Sequence, residues 1–183
     1  MRIISGSARG RKLKDVKIDI RPTSDMVKES VFNIIQFDIE GRRVLDLFAG
    51  SGQLGIEALS RGAKSAVFVD SNPESVKLIK SNLNLCGFSD LAYVQTRDAL
   101  RYLSANSFAN ETFDVIFVDP PYNTSLLSEA LSAIIGFDKL NSNGIIICET
   151  TVDAPVPTVE LPYFLYKEYK YGSTKILRYQ KSE

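Results

Sequence analysis

The sequence predicts an α/β protein built on a mostly parallel sheet of seven strands, closed by a C-terminal antiparallel hairpin. Three observations predict it. Short apolar runs alternate with segments of helical periodicity between residues 44 and 149. The first run breaks into Gly50-Ser51-Gly52 and the fourth ends in an acid, Asp119, which would project into the crevice where such sheets bind ligands. After Glu149 the alternation stops, and two strand-like runs follow one another directly.

Taken in order, residues 2–21 read as an extended, basic β-hairpin arm. Arg21-Pro22-Thr23-Ser24 leads into a helix over about residues 25–37, with Ser24 as N-cap and Val27, Val31, Ile34 and Ile35 as its apolar face. Residues 44–49 are the first strand, and residues 54–61 a helix stopped by Gly62. Residues 66–70 form the second strand. Asn72-Pro73 then opens a helix that runs to about Cys86, with proline in its first turn. Residues 92–96 are the third strand and 99–105 a short helix; 113–119 are a buried fourth strand, 126–135 a helix and 144–149 a fifth strand. Three prolines in residues 151–162, with no helical pattern, mark an irregular connection. Residues 164–170 and 174–180 are then the hairpin, turning through Tyr171-Gly172-Ser173. No repeat or linker divides the chain. Residues 1–183 are expected to be one domain, with the arm and first helix in 1–40 and the core in 41–183.

Composition excludes several classes. At 183 residues, 44% hydrophobic and 24% charged, the chain suits a soluble globular domain. No apolar run approaches the roughly 20 residues of a membrane span. The start, Met1-Arg2-Ile3-Ile4-Ser5-Gly6, has no secretory character, so a cytoplasmic protein is expected. Cys86 and Cys148 each sit in an apolar segment and read as small core residues. Histidine is absent, which removes Ser-His and Cys-His hydrolase arrangements and argues against a zinc site; no metal is expected. The net charge of zero hides an asymmetry. Residues 1–43 hold ten Lys/Arg against six Asp/Glu, residues 44–162 seven against fourteen, and residues 163–183 five against two. Two basic ends around an acidic middle point to a phosphate-bearing partner. No self-association stripe stands out, and a monomer is expected.

The candidate cofactor loop runs from Asp46 to Gly55. Gly50, Gly52 and Gly55 fit G-x-G-x-x-G after a strand, and Asp70 ends the next strand. Alone, that pattern equally describes a nicotinamide-binding protein. Asp46 tips the balance: a carboxylate at the strand end accepts from a cationic amino-acid moiety and repels a pyrophosphate. Asp70 suits a ribose diol of either nucleotide, and Asp98 suits an adenine amine. S-adenosylmethionine is therefore the expected cofactor, held by Asp46, Phe48, Gly50, Ser51, Gly52, Asp70 and Asp98. Asp46 as a turn-former and Asp98 as a helix cap are the bland readings.

The candidate acceptor loop is Asp119-Pro120-Pro121-Tyr122. Two prolines make the loop rigid. A planar exocyclic amine is a poor nucleophile because its lone pair is delocalised into the ring. The Asp119 carboxylate and the Pro120 carbonyl can each accept one of its N–H groups, which aims the lone pair at a sulfonium methyl and favours pyramidal nitrogen. That is catalysis by positioning and electrostatics, and it requires no histidine. Tyr122 can stack on an extruded base, a contact worth roughly 1–3 kcal/mol. Its bland reading is a proline-capped turn.

These residues resemble a known family. D-L-F-A-G-S-G with D-P-P-Y is similar to class I amino-methyltransferases. More narrowly, Arg2-Ile3-Ile4-Ser5-Gly6, Arg9-Gly10-Arg11-Lys12-Leu13, Arg21-Pro22-Thr23-Ser24-Asp25 and residues 45–63 resemble the RsmD-type enzymes, as does nearly the whole chain. The resemblance implies a Rossmann-like class I methyltransferase fold and methylation of the exocyclic N2 of one guanine in bacterial small-subunit (16S) ribosomal RNA. It assigns Asp119, Pro120 and Tyr122 to the guanine amine. Arg21, Pro22 and Thr23 would approach the cofactor or the RNA from the N-terminal side. The basic arm then reads as an RNA grip through Arg9, Arg11 and Lys12, on 16S rRNA within a small-subunit particle or assembly intermediate. Met26 stands where a basic residue is common, Ser5 where glycine is common, and Asp70 where glutamate often occurs. Three other readings stay open: a DNA amino-methyltransferase, a nicotinamide-dependent oxidoreductase, and a non-catalytic RNA-binding module.

Overall fold

Strands that are apolar at successive positions need cover on both faces, which places them at the centre of a parallel sheet. Strands β1 (Arg43–Leu47), β2 (Ser65–Asp70) and β4 (Phe113–Val118) meet that description, with every interior position of β1 and β2 buried. In the computed structural model, which describes residues 1–15, 25–105 and 110–182, they are flanked by β3 (Ala92–Thr96) and β5 (Leu140–Thr151). The hairpin strands are β6 (Tyr163–Tyr171) and β7 (Thr174–Lys181). The sheet order is β3-β2-β1-β4-β5-β7-β6; the first five strands are parallel, and β7 runs antiparallel between β5 and β6. This is the seven-stranded, mostly parallel sheet with a C-terminal antiparallel pair that the sequence predicts.

Alternate residues serve opposite faces. Val115 and Phe117 of β4 join one core with α1 (Asp25–Ile34), α2 (Gln53–Ser60) and α3 (Pro73–Cys86). Ile116 and Val118 join the other, with α4 (Ala99–Leu103) and α5 (Leu126–Gly136). Cys86 and Cys148 are both buried and unbridged. The strand order reverses between β1 and β4, so a crevice opens there at the carboxyl ends of the strands. Among the described residues, no helix is long and apolar enough to cross a membrane.

Several boundaries differ from expectation, each for a local reason. The first strand stops at Leu47 because Phe48 turns left-handed, with φ 68. Helix α1 ends at Ile34 and not near residue 37. Its buried face is Val27, Val31 and Phe32, with Ile35 buried just beyond it, while Ile34 is only half-buried. Strand β5 begins four residues early, through a register irregularity opposite β4. Ser24, the expected N-cap, lies outside the described residues.

The N-terminal hairpin is described over residues 1–15, closed by one antiparallel bridge between Arg2 and Lys12. It is docked on the domain rather than extended. Ile3, Ala8 and Leu13 are buried in the α1–α3 core. The Ile4 and Ser5 amides donate to the Glu57 carboxylate of α2 at 2.8 and 3.0 Å. Ser60, one turn further along α2, accepts from the Ala8 amide at 3.0 Å and donates to the Ser5 carbonyl at 2.6 Å. Lys28 of α1 completes the cluster, fully buried and 3.5 Å from Glu57. Burial pushes its ammonium pKa down, against the pull of Glu57.

Gly6 makes this docking feasible. Its φ is +83, and a Cβ there would lie 1.7 Å from the Ser60 carbonyl oxygen. Gly6→Ala is expected to lower stability by about 1–3 kcal/mol through steric overlap and partial undocking of the hairpin. Urea denaturation measures the change; an unaltered midpoint would show that the docked arrangement contributes nothing to folding.

Candidate functional site

At the carboxyl edge of the sheet, the ends of β1, β2, β3 and β4 and the loops that follow them enclose a cleft of about 430 Å³. Each brings a carboxylate. Asp46 is in β1 itself and is only 2% exposed. Its Oδ2 accepts from the Gly55 amide of α2 at 2.9 Å. Burial, reinforced by the nearby charge of Asp70, pushes its pKa up to about 7 against the pull of that hydrogen bond. Asp70, at the tip of β2, accepts from the Gly50 amide and the Asn72 amide, both at 2.8 Å. Its carboxylate therefore shapes the glycine loop and faces the cleft at once.

The loop between β1 and α2 is built from unusual backbone. Phe48, Gly50 and Gly52 have φ of 68, 55 and 78. A bulky residue in that region is strained, and such strain concentrates at functional sites. Gly55 serves a different need: a Cβ there would meet the Phe68 ring at 2.3 Å. Ser51 is buried beside Met1, its hydroxyl 3.5 Å from the methionine sulfur. Asp98 caps α4 by accepting from the Arg101 amide at 3.0 Å, and it also lines the cleft. The helix-cap reading and the cleft position are thus both true of one side chain.

Asp119, Pro120, Pro121 and Tyr122 line the same cleft from the β4 side. Tyr122 is held at its far end: its hydroxyl donates to Glu149 Oε1 at 2.7 Å. Burial and that hydrogen bond push its phenol pKa up, and Asp119 adds to the effect, so the hydroxyl stays protonated. Of the residues expected at the cofactor and the acceptor, all but Gly52 therefore line one cleft. Gly52 turns the loop behind it, packed towards Ile56 and Ile79, and shapes the wall without forming part of it.

Sequence reasoning missed four contributors. Glu149, 5% exposed in β5, follows the same pattern as Asp46 and Asp70, an acid near the carboxyl end of a buried strand, and could have been found by it. Gln53 and Asp15 line the cleft without a sequence signal. Asn82, fully buried in α3, lies outside the lining but secures it. Its amide donates to the carbonyls of Ser51 and Lys14 at 3.0 Å each, and its oxygen accepts from the Lys14 amide at 2.9 Å. A polar residue among Ile79, Leu83 and Cys86 was the available clue.

The proposed RNA contacts lie elsewhere. Arg9, Arg11 and Lys12 are exposed on the docked hairpin and do not line the cleft. Arg11 also donates to the Leu85 carbonyl near the end of α3. Arg21 and Thr23 lie outside the described residues.

Among the described residues, the lining holds six acids, Asp15, Asp46, Asp70, Asp98, Asp119 and Glu149, and one basic side chain, Arg97. Such a cleft favours a cationic, donor-rich ligand and opposes a pyrophosphate. Ribosomal RNA small subunit methyltransferase D of Haemophilus influenzae is 38% identical over 182 residues, covering 98% of this chain and 93% of that protein. YlbH of Bacillus subtilis is 41% identical over 182 residues, covering 99% of each. The solved structure of yhhF from Escherichia coli matches with a TM-score of 0.89 at 33% identity, over 100% of this chain and 98% of that one. The family model described as Conserved hypothetical protein 95 matches residues 1–180. This chain belongs to that family, which is the RsmD-type family its N-terminal motifs resemble.

Proposed function

We propose that this protein is an S-adenosylmethionine-dependent methyltransferase that modifies the exocyclic N2 amine of one guanine in small-subunit (16S) ribosomal RNA. The observation that carries the reading is the single acidic cleft in which the Asp119–Tyr122 loop stands beside the glycine loop. The lining suits the cofactor: carboxylates meet a cationic ligand, and Asp46, buried and protonating near neutrality without one, gains a partner. Asp46, Phe48, Gly50, Ser51, Gly52, Asp70 and Asp98 would hold it, Gly52 through the shape of the loop. When bound, S-adenosylmethionine supplies an electrophilic methyl group.

The chain's own contribution is positioning. Asp119 and the Pro120 carbonyl accept the two N–H groups of the guanine amine and orient its lone pair. Tyr122, tethered to Glu149, offers its ring to the extruded base. The name of the Haemophilus relative supports the choice of small-subunit RNA. The docked hairpin displays Arg2, Arg9, Arg11, Lys12 and Lys14 on its surface, a set suited to the phosphates of folded RNA. The substrate is a small-subunit particle or assembly intermediate, met in the cytoplasm by a monomer. A nicotinamide enzyme leaves Asp119–Tyr122 without a role and sets a pyrophosphate among carboxylates. A DNA amino-methyltransferase needs a target-recognition insertion, and none separates the described elements of the core.

Three outcomes are expected. Asp119→Ala abolishes tritiated methyl transfer to small-subunit particles lacking the modification, while equilibrium binding of S-adenosylmethionine is nearly unchanged; full activity would refute the mechanism. Reversing the charges of Arg9, Arg11 and Lys12 weakens RNA binding and flattens its dependence on salt, by about one unit of log–log slope for each phosphate no longer held. An unchanged slope would remove the hairpin from the RNA interface.

The third concerns pH. Because Asp46 titrates at about 7, and a cationic ligand favours its ionised form, binding releases a proton below that pH and not above it. Affinity therefore rises with pH up to about 7 and then levels. Calorimetry in buffers of differing ionisation enthalpy, below and above neutrality, measures the release. Asp46→Asn should abolish it, and a release persisting in that variant would assign the proton to another group.

A further inference from the structure

The first residue of α2, Gln53, is unlike its neighbours in one respect. Its side chain is 7% exposed and lines the cleft, yet its Oε1 is buried with no hydrogen-bond partner. Among the described residues only one other buried side-chain atom, Arg178 Nε, is in that condition. A buried, unpaired carbonyl destabilises a fold, and an apolar side chain of the same length would remove the penalty. Something that binds in the cleft therefore completes it.

The surroundings say what kind of group that is. Two residues further along α2, the Gly55 amide donates to the buried Asp46 carboxylate. Asp46, with its buried carboxylate, and Gln53, with its buried and unpaired amide oxygen, both line this cleft, and both of those groups are acceptors. A positively charged group rich in N–H donors satisfies both of these acceptors. We infer that Gln53 is a cofactor-binding residue whose side-chain carbonyl accepts a hydrogen bond from the α-ammonium group of the amino-acid moiety of S-adenosylmethionine. Gln53 is then a specificity residue for the amino-acid end of the ligand, distinct from Asp70 and Asp98 at the nucleoside end. The inference rests on the methyltransferase reading above and deepens it.

Gln53→Met keeps the length of the side chain and removes the polar end. The test compares binding of S-adenosylhomocysteine, which carries the amino-acid moiety, with 5′-methylthioadenosine, which lacks it, by calorimetry on the full chain. The expected result is a roughly tenfold loss of affinity for S-adenosylhomocysteine, as for one hydrogen bond to a charged group, with methylthioadenosine bound within about twofold of wild type. The ligand-free variant should melt at or above the wild-type temperature, because an unpaired acceptor has been removed. A structural role for Gln53 predicts the reverse: a lower melting temperature and equal losses for both ligands, and either would overturn the inference. Gln53→Glu preserves the acceptor and should retain S-adenosylhomocysteine binding; its loss would make the amide a donor to the ligand's carboxylate and overturn the assignment. Wild-type protein that binds neither ligand would sink the methyltransferase reading itself. Wild-type binding with an indifferent Gln53→Met variant would sink only this inference.

Discussion

The site depends on how closely helix α2 can approach strand β2. At Gly55 the helix backbone sits so near the Phe68 ring that no side chain fits between them. That approach sets the Gly55 amide 2.9 Å from Asp46, fixing the end of β1 to the first turn of the helix. The connecting residues then have only five positions, 48–52, in which to turn, and three of them adopt left-handed backbone. Helix α2 is buried at all eight of its positions, which is unusual for a helix outside a membrane or a large core. Its other sides are covered by the sheet, by α3, and by the N-terminal hairpin through Glu57 and Ser60. Held on all sides, the glycine loop has little freedom left.

Six carboxylates around one cleft would repel one another if each stood alone. Backbone amides spread that cost: Asp46 takes one, Asp70 two, Asp98 one at the start of α4, while Glu149 receives the Tyr122 hydroxyl. At Asp46 the compensation falls short, because burial still outweighs its hydrogen bond and raises the pKa to about 7. Asp46, the left-handed Phe48 and the unpaired oxygen of Gln53 lie within eight residues of each other. Each departs from what stability alone would select, and such departures are expected where a fold is shaped around a ligand.

The sheet was legible because its signals are local. Buried parallel strands have to be apolar at successive positions, and the glycines and acids at their ends marked which edge binds ligand. Element boundaries were less legible where tertiary packing decided them. Nothing in Leu47-Phe48-Ala49 announces that a phenylalanine will turn left-handed, because the demand comes from the packing of Gly55 against Phe68, which lies twenty residues beyond Phe48. The same holds for Ile34: helical spacing puts it on the apolar face, but the core is completed by Phe32 and by Ile35 in the turn beyond. The candidate site divides in the same way. Carboxylates at strand ends follow a rule, and that rule would also have found Glu149. Gln53 and Asn82 follow none, since their importance lies in the partner that each has or lacks.

Asn82 also shows how two separate surfaces become one device. Arg9, Arg11 and Lys12 are outside the cleft, yet the described part of the hairpin runs on through Lys14 to Asp15, and Asp15 lines the cleft. Between them and the glycine loop stands a single fully buried amide, bonded to both backbone groups of Lys14 and to the carbonyl of Ser51. Removing either partner would leave a buried polar group unpaired, which ties the two segments together more firmly than apolar packing of the same area. The hairpin is anchored a second time at its turn, where Gly6 allows the backbone to rest on Ser60 at the other end of α2. A segment fixed at both ends of one helix is held firmly against the domain. The surface that displays Arg9 and Lys12 and the glycine loop that lines the cleft are therefore parts of one tied unit, linked through Asn82 and through α2.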